Sequence, residues 1–213
     1  ATARLQTTAS QGTSDLTSSY DVPINKRSYS PRRSYIDCNP IFARLASGDL
    51  TRFHYLAYLR ETYHLIKHTP KYLTIAANRV AENDERLANY FRNFSREETG
   101  HELLCIRDIH ALGKNADDIL SGDPNPGVWG MVTQCYFWAS QGNPIALLGD
   151  AFATEELGVA RSLEVAKLLE TSYSIPRQAT NFLRVHGSED KQHFEAAAGQ
   201  LSAMQEIAIS MLT

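Results

Sequence analysis

From Asn39 onward the chain is built of long segments whose apolar residues recur every three to four positions, and no stretch alternates with period two long enough to make a strand. That periodicity restricts the fold to packed helices. Breaks at Ser47-Gly48-Asp49, His68-Thr69-Pro70, Gly113 to Gly127, Gln141-Gly142-Asn143-Pro144 and Thr171 to Pro176 punctuate it. They predict helices near 40–47, 51–68, 71–81, 84–112, 127–140, 144–170 and 176–211. Pro144 and Pro176 then sit in first turns, where a missing amide is tolerated. The expected fold class is all-α, a compact bundle of about seven helices. No internal repeat is present.

The segment before Asn39 differs in texture. Nine of the first twenty residues are Ser or Thr, and Asn25 to Arg33 is basic without an apolar period. Residues 1–34 are expected to form a flexible Ser/Thr-rich, basic arm ahead of a single helical domain over 35–213.

Charge and composition exclude several function classes. Twenty-one Lys and Arg against 24 Asp and Glu give a net charge of -3, so no cationic excess is available for nucleic acid. No apolar run reaches the roughly 20 residues that cross a bilayer, so no membrane partner is expected. Cys38, Cys105 and Cys135 are odd in number and never spaced as a CxxC pair, which fits reduced thiols in a cytoplasmic protein. The sequence has no GxGxxG, P-loop or GxSxG motif, and His101 to Cys105 fails as HExxH because its fifth residue is Cys.

Polar residues intrude into the apolar stripes. Leu87, Phe91, Phe94, Glu98, His101, Cys105, Asp108 and Leu112 advance by steps of four and three, which places Glu98 and His101 on an inward face. In the last helix Phe182, His186, Asp190, His193, Ala197, Leu201 and Met204 keep the same steps. A third stripe, Leu148, Phe152, Glu155, Val159 and Leu163, contains one carboxylate, with Glu156 beside it as a substitute. A buried charge costs several kcal/mol unless it is paired or metal-bound. Three carboxylates and three imidazoles on buried faces, with no thiolate, suit iron or manganese better than structural zinc. Their charge offsets much of that of two divalent cations, so a dinuclear centre is expected. Glu61, His64 and His68 share another helix face and repeat the Glu-x-x-His spacing. They stand as additional or substitute ligands against the alternative of a half-exposed polar face.

At Glu97 to Glu102, with Glu155 and the run His186 to His193, the sequence resembles the heme-oxygenase-like di-iron oxidases and oxygenases over roughly residues 40–205. The resemblance implies a heme-oxygenase-like fold and two iron ions held by Glu98, His101, Glu155, His186, Asp190 and His193. It also implies O2 as co-substrate in oxidising or cleaving a small carboxylate- or amine-bearing molecule, such as a fatty acid or an amino acid. Many members carry a carboxylate seven residues before the first histidine, where this chain has Phe94. Its Glu-x-x-His form is similar to that of the family's fatty-acid decarboxylase. An external electron donor and a homodimer are compatible with such an enzyme. Phe91, Phe94 and Phe152 are expected to wall a dry pocket. Two alternatives remain at this point: a metal-free thiaminase-like enzyme with Cys135 as nucleophile and Glu155 or Glu156 as acid or base, and a non-catalytic helical interaction module.

Overall fold

The computed structural model describes residues 40–210, without the side chains of residues 189–190 and 205–210. The arm expected over 1–34, Cys38 and the side chain of Asp190 therefore lie outside the described residues. The helices are α1 (Pro40–Ser47), α2 (Arg52–Ile66), α3 (Thr69–Val80), α4 (Glu85–Glu97), α5 (Glu102–Ala111), α6 (Ala116–Leu120), α7 (Pro126–Ser140), α8 (Ala146–Ser172) and α9 (Asn181–Ser210). A 3₁₀ turn, Arg177–Ala179, leads into α9. The described residues contain no strand, in agreement with the all-helical expectation, and none of their helices is long and apolar enough to cross a membrane.

Three differences from expectation exceed two residues, each for a local reason. The helix expected over 84–112 is two helices, α4 and α5. Gly100 at φ +94° occupies the left-handed region that only glycine enters cheaply, and it ends the first spiral. Glu98 N–H still donates to Phe94 O at 2.9 Å, while Leu104 N–H donates to His101 O at 3.0 Å and starts the next spiral. Glu98 and His101 thus flank the break. The short α6 falls inside a stretch expected to be loop, with the Asn115 side chain accepting from Asp117 N–H at 3.0 Å. The last helix begins at Asn181 rather than Pro176. There the Asp108 carboxylate of α5 accepts from Asn181 N–H at 3.0 Å and Phe182 N–H at 2.9 Å, and it also accepts from Asn181 Nδ2 at 3.0 Å. A fully buried carboxylate on one helix therefore caps another and satisfies its first free amides.

The core is filled by Leu59, Leu73, Leu87, Phe91, Ile109, Leu147 and Leu148. Burying each such side chain is worth about 1.5–3 kcal/mol. α9 packs most extensively on α8, α3 on α4, and α2 on α5. The α8 stripe needs correction after Glu155, because Val159 and Leu163 are exposed while Gly158, Ser162 and Ala166 are buried. Small residues line the inward face of the second half of α8. Close helix approach is visible at Gly187 of α9, where an added Cβ would come within 2.6 Å of Leu163 Cγ and 3.1 Å of the Leu163 backbone nitrogen. Glycine costs about 1 kcal/mol against alanine in a helix; here it lets α9 and its histidines draw up to α8.

Candidate metal centre

The turn between α4 and α5 brings Glu98 and His101, α8 brings Glu155, and α9 brings His186 and His193. These five side chains make two groups whose ligand-type atoms lie within 4.8 Å of one another: Glu98, His101 and His186, and Glu98, Glu155 and His193. Glu98 belongs to both. His186 and His193 are two turns apart, about 10.5 Å along α9, and so share a helix face. Glu98 and Glu155 are only 5% and 6% exposed.

Contacts within each group are short. Glu98 Oε2 is 3.2 Å from His101 Nδ1, and the His101 and His186 rings meet edge to face at 4.9 Å. His193 Nδ1 lies 3.6 Å from Glu98 Oε1 and 3.5 Å from Glu155 Oε2, while its Nε2 lies 3.3 Å from Glu97 Oε2. The Glu155 carboxylate is the main cause that raises His193 above the ordinary imidazole range; burial opposes it, and the charges of Glu98 and Glu97 add to it. His186 Nδ1 donates to Phe182 O at 2.9 Å. A carbonyl cannot donate, so Nδ1 carries the proton and Nε2 keeps its lone pair.

Glu98 Oε1 is buried and makes no hydrogen bond to any described residue. Leaving a buried carboxylate oxygen unbonded is costly unless a cation faces it. The donor set of carboxylate oxygens and imidazole nitrogens, free of thiolate, has the chemistry that iron takes. The residues present therefore fit such an ion.

The remaining candidate residues lie elsewhere. Glu61 pairs with Arg60 and accepts from the backbone N–H and Nδ2 of Asn125 at 2.9 and 2.8 Å. His64 uses Nε2 on Leu120 O at 3.1 Å and Nδ1 on Lys67 at 3.0 Å. Burial, then the Lys67 charge, keeps it below the ordinary imidazole range. His68 Nδ1 bonds Tyr136 OH at 3.2 Å. Glu156 is half-buried and belongs to neither group.

A cavity of about 260 Å³ adjoins the centre, and Glu98, Glu155 and His186 form part of its wall. Of the three phenylalanines expected there, Phe94 lines it, together with Phe182. Phe91 is instead fully buried in the core, and Phe152 packs on Phe194 with ring centroids 4.8 Å apart. Cys135 also lines the cavity, but burial first, and then Asp150, pushes its thiol up to about 12. At neutral pH it is a protonated thiol, and a thiol without its thiolate is a poor nucleophile. That weighs against the metal-free alternative.

Sequence reasoning missed the parts outside the stripes. Glu97 is off the buried face, yet its side chain reaches His193 from the exposed side. Asp108 was visible as a polar residue in a core stripe, but its role as a cap for α9 depends on tertiary packing.

Residues 56–208 match a family model described as iron-containing redox enzyme. A search of curated proteins finds no significant match. Among solved structures, a domain of unknown function with a heme oxygenase-like fold from Shewanella denitrificans OS217 superposes with a TM-score of 0.75. It is 24% identical, and the alignment covers 85% of this chain and 80% of that one. The helical bundle thus has the heme oxygenase-like fold.

Proposed function

We propose, for a chain that belongs to the family of iron-containing redox enzymes, that the two carboxylate and histidine groups hold two iron ions and that the protein uses O2 to oxidise or cleave a small carboxylate- or amine-bearing molecule. The observation that carries this reading is the membership of Glu98 in both groups. A carboxylate common to both donor groups would offer its negative charge to both cations.

In this reading Glu98 would help to hold both ions. His101 and His186 would hold one ion, and Glu155 and His193 the other; Asp190, whose side chain lies outside the described residues, is the sixth ligand that the family resemblance implies. Bound iron supplies the electrons and open coordination positions that O2 reduction requires. The chain's own groups do the rest. Phe182 O fixes the His186 ring so that Nε2 is presented as a ligand. Glu97 approaches Nε2 of His193 and leaves Nδ1 for the centre. Phe94 and Phe182 line the cavity beside the donors and limit the water that reaches an oxidising centre.

Anaerobic titration with ferrous iron tests the proposal. Uptake should saturate at two irons per chain, and admission of O2 should then produce a new absorbance band. Saturation at zero, or iron that is inert to O2, would refute it.

A further inference from the structure

The cavity beside the centre has a one-sided charge pattern. Among the described residues lining it, three are carboxylates, Glu98, Glu155 and Asp150, and none is Lys or Arg. Glu98 and Glu155 belong to the paired groups; Asp150 does not. Its carboxylate accepts one weak hydrogen bond from a described residue, the Cys135 thiol at 3.6 Å. Tyr72 and Thr69 stand on the same wall, with Tyr72 OH donating to Thr69 Oγ1 at 3.3 Å.

A carboxylate sunk in such a wall is costly without a cationic partner. Burial accordingly raises the acid above the ordinary range, opposed only by the Cys135 contact. No Lys or Arg stands among the described lining residues, so a cationic complement for Asp150 is sought in what enters the cavity. With Glu98 and Glu155 taken up by the cations, Asp150 is the lining carboxylate that a head group meets, and it attracts an ammonium and repels an anion.

We propose that Asp150 is the anchor for a substrate ammonium group, so that this cavity selects small primary amines over carboxylates of the same length. The inference rests on the reading of Glu98 and Glu155 as iron ligands, because that reading leaves Asp150 as the carboxylate without a task. Asp150 and Glu155 are five residues apart on α8, about 7.5 Å along its axis. A chain of roughly six bonds, the length of two extended residues, bridges that gap. An amine held at Asp150 therefore presents carbon atoms several bonds away to the centre. The volume of about 260 Å³ lies just below the usual range of ligand pockets, which suits a molecule of that size.

The test compares n-pentylamine, 1-pentanol and pentanoate as calorimetric probes against the full chain and against Asp150→Asn and Asp150→Glu, with iron content measured for each protein. A charge-assisted contact predicts that the wild type binds pentylamine about tenfold more tightly than pentanol, with pentanoate weakest. Asp150→Asn should erase the amine preference while keeping the helical spectrum and the iron content, and Asp150→Glu should keep part of the preference. Equal binding of amine and alcohol, tighter binding of pentanoate, or an unchanged preference in Asp150→Asn overturns the proposal. So does loss of iron in Asp150→Asn, which would make Asp150 a ligand. Failure of the wild type to take up iron, with the amine preference intact, counts against the metal reading alone.

Discussion

The chain carries Glu-x-x-His twice, at Glu61 to His64 and at Glu98 to His101, and the two copies have opposite fates. In α2 every strong group of the motif is engaged locally. Glu61 is held by Arg60 and Asn125, and both His64 nitrogens are committed to Leu120 O and Lys67. At the turn between α4 and α5, Glu98 keeps a buried oxygen with no hydrogen bond to any described residue, and the groups that converge on it come from α8 and α9. Spacing within a motif is the same in both. What separates the candidate metal centre from the structural pair is which other helices face it and whether its donors are already in use.

The largest effect should come from the shared carboxylate. Glu98→Gln is expected to abolish stoichiometric iron uptake at both positions, measured as iron per chain after desalting, whereas Glu61→Gln leaves uptake unchanged. Equal losses in the two variants would erase the distinction. Next comes the capping carboxylate: Asp108→Ala leaves Asn181 and Phe182 N–H groups without their acceptor and should cost about 2–3 kcal/mol. In a chain of this length that lowers Tm by roughly 4–12 °C. A melt unchanged within a degree or so would mean that α9 does not depend on α5 for its start. The smallest effect concerns helix approach. Gly187→Ala forces a Cβ into Leu163 and should destabilise by about 1–3 kcal/mol in denaturant titrations. Gly149→Ala on α8, where a Cβ meets nothing within 4 Å, should stabilise by about 0.5–1 kcal/mol.

Much of the molecule was legible because burial leaves a period in the sequence. The helical class follows from apolar recurrence. Glu98, His101, Glu155, His186 and His193 stood out because charge inside an apolar stripe demands a reason, and the structure brings these five together. The break at Gly100 was hidden for an instructive cause: Glu98, His101 and Cys105 still fall inward across it, so the period survives although the hydrogen-bonded spiral does not. A glycine after Glu-Glu-Thr was the available signal. On α8 the pattern misled, since Val159 and Leu163 look like core while Gly158, Ser162 and Ala166 take the inward positions. Hydrophobicity ranks side chains by their affinity for a core, whereas two helices in close approach select for smallness. Asp150 escaped notice because nothing in a sequence marks a polar residue as lining a void.

The cavity wall is shared unequally among the helices. α8 supplies both Asp150 and Glu155, so sliding or rotating α8 to admit a different molecule would also disturb the donor set. α2 and α7 contribute Tyr58, Thr62 and Met131 to the same wall, and none of these belongs to the paired groups. Those three positions can be exchanged over evolutionary time, or by directed libraries, to reshape what fits while the paired carboxylate and histidine groups are left intact.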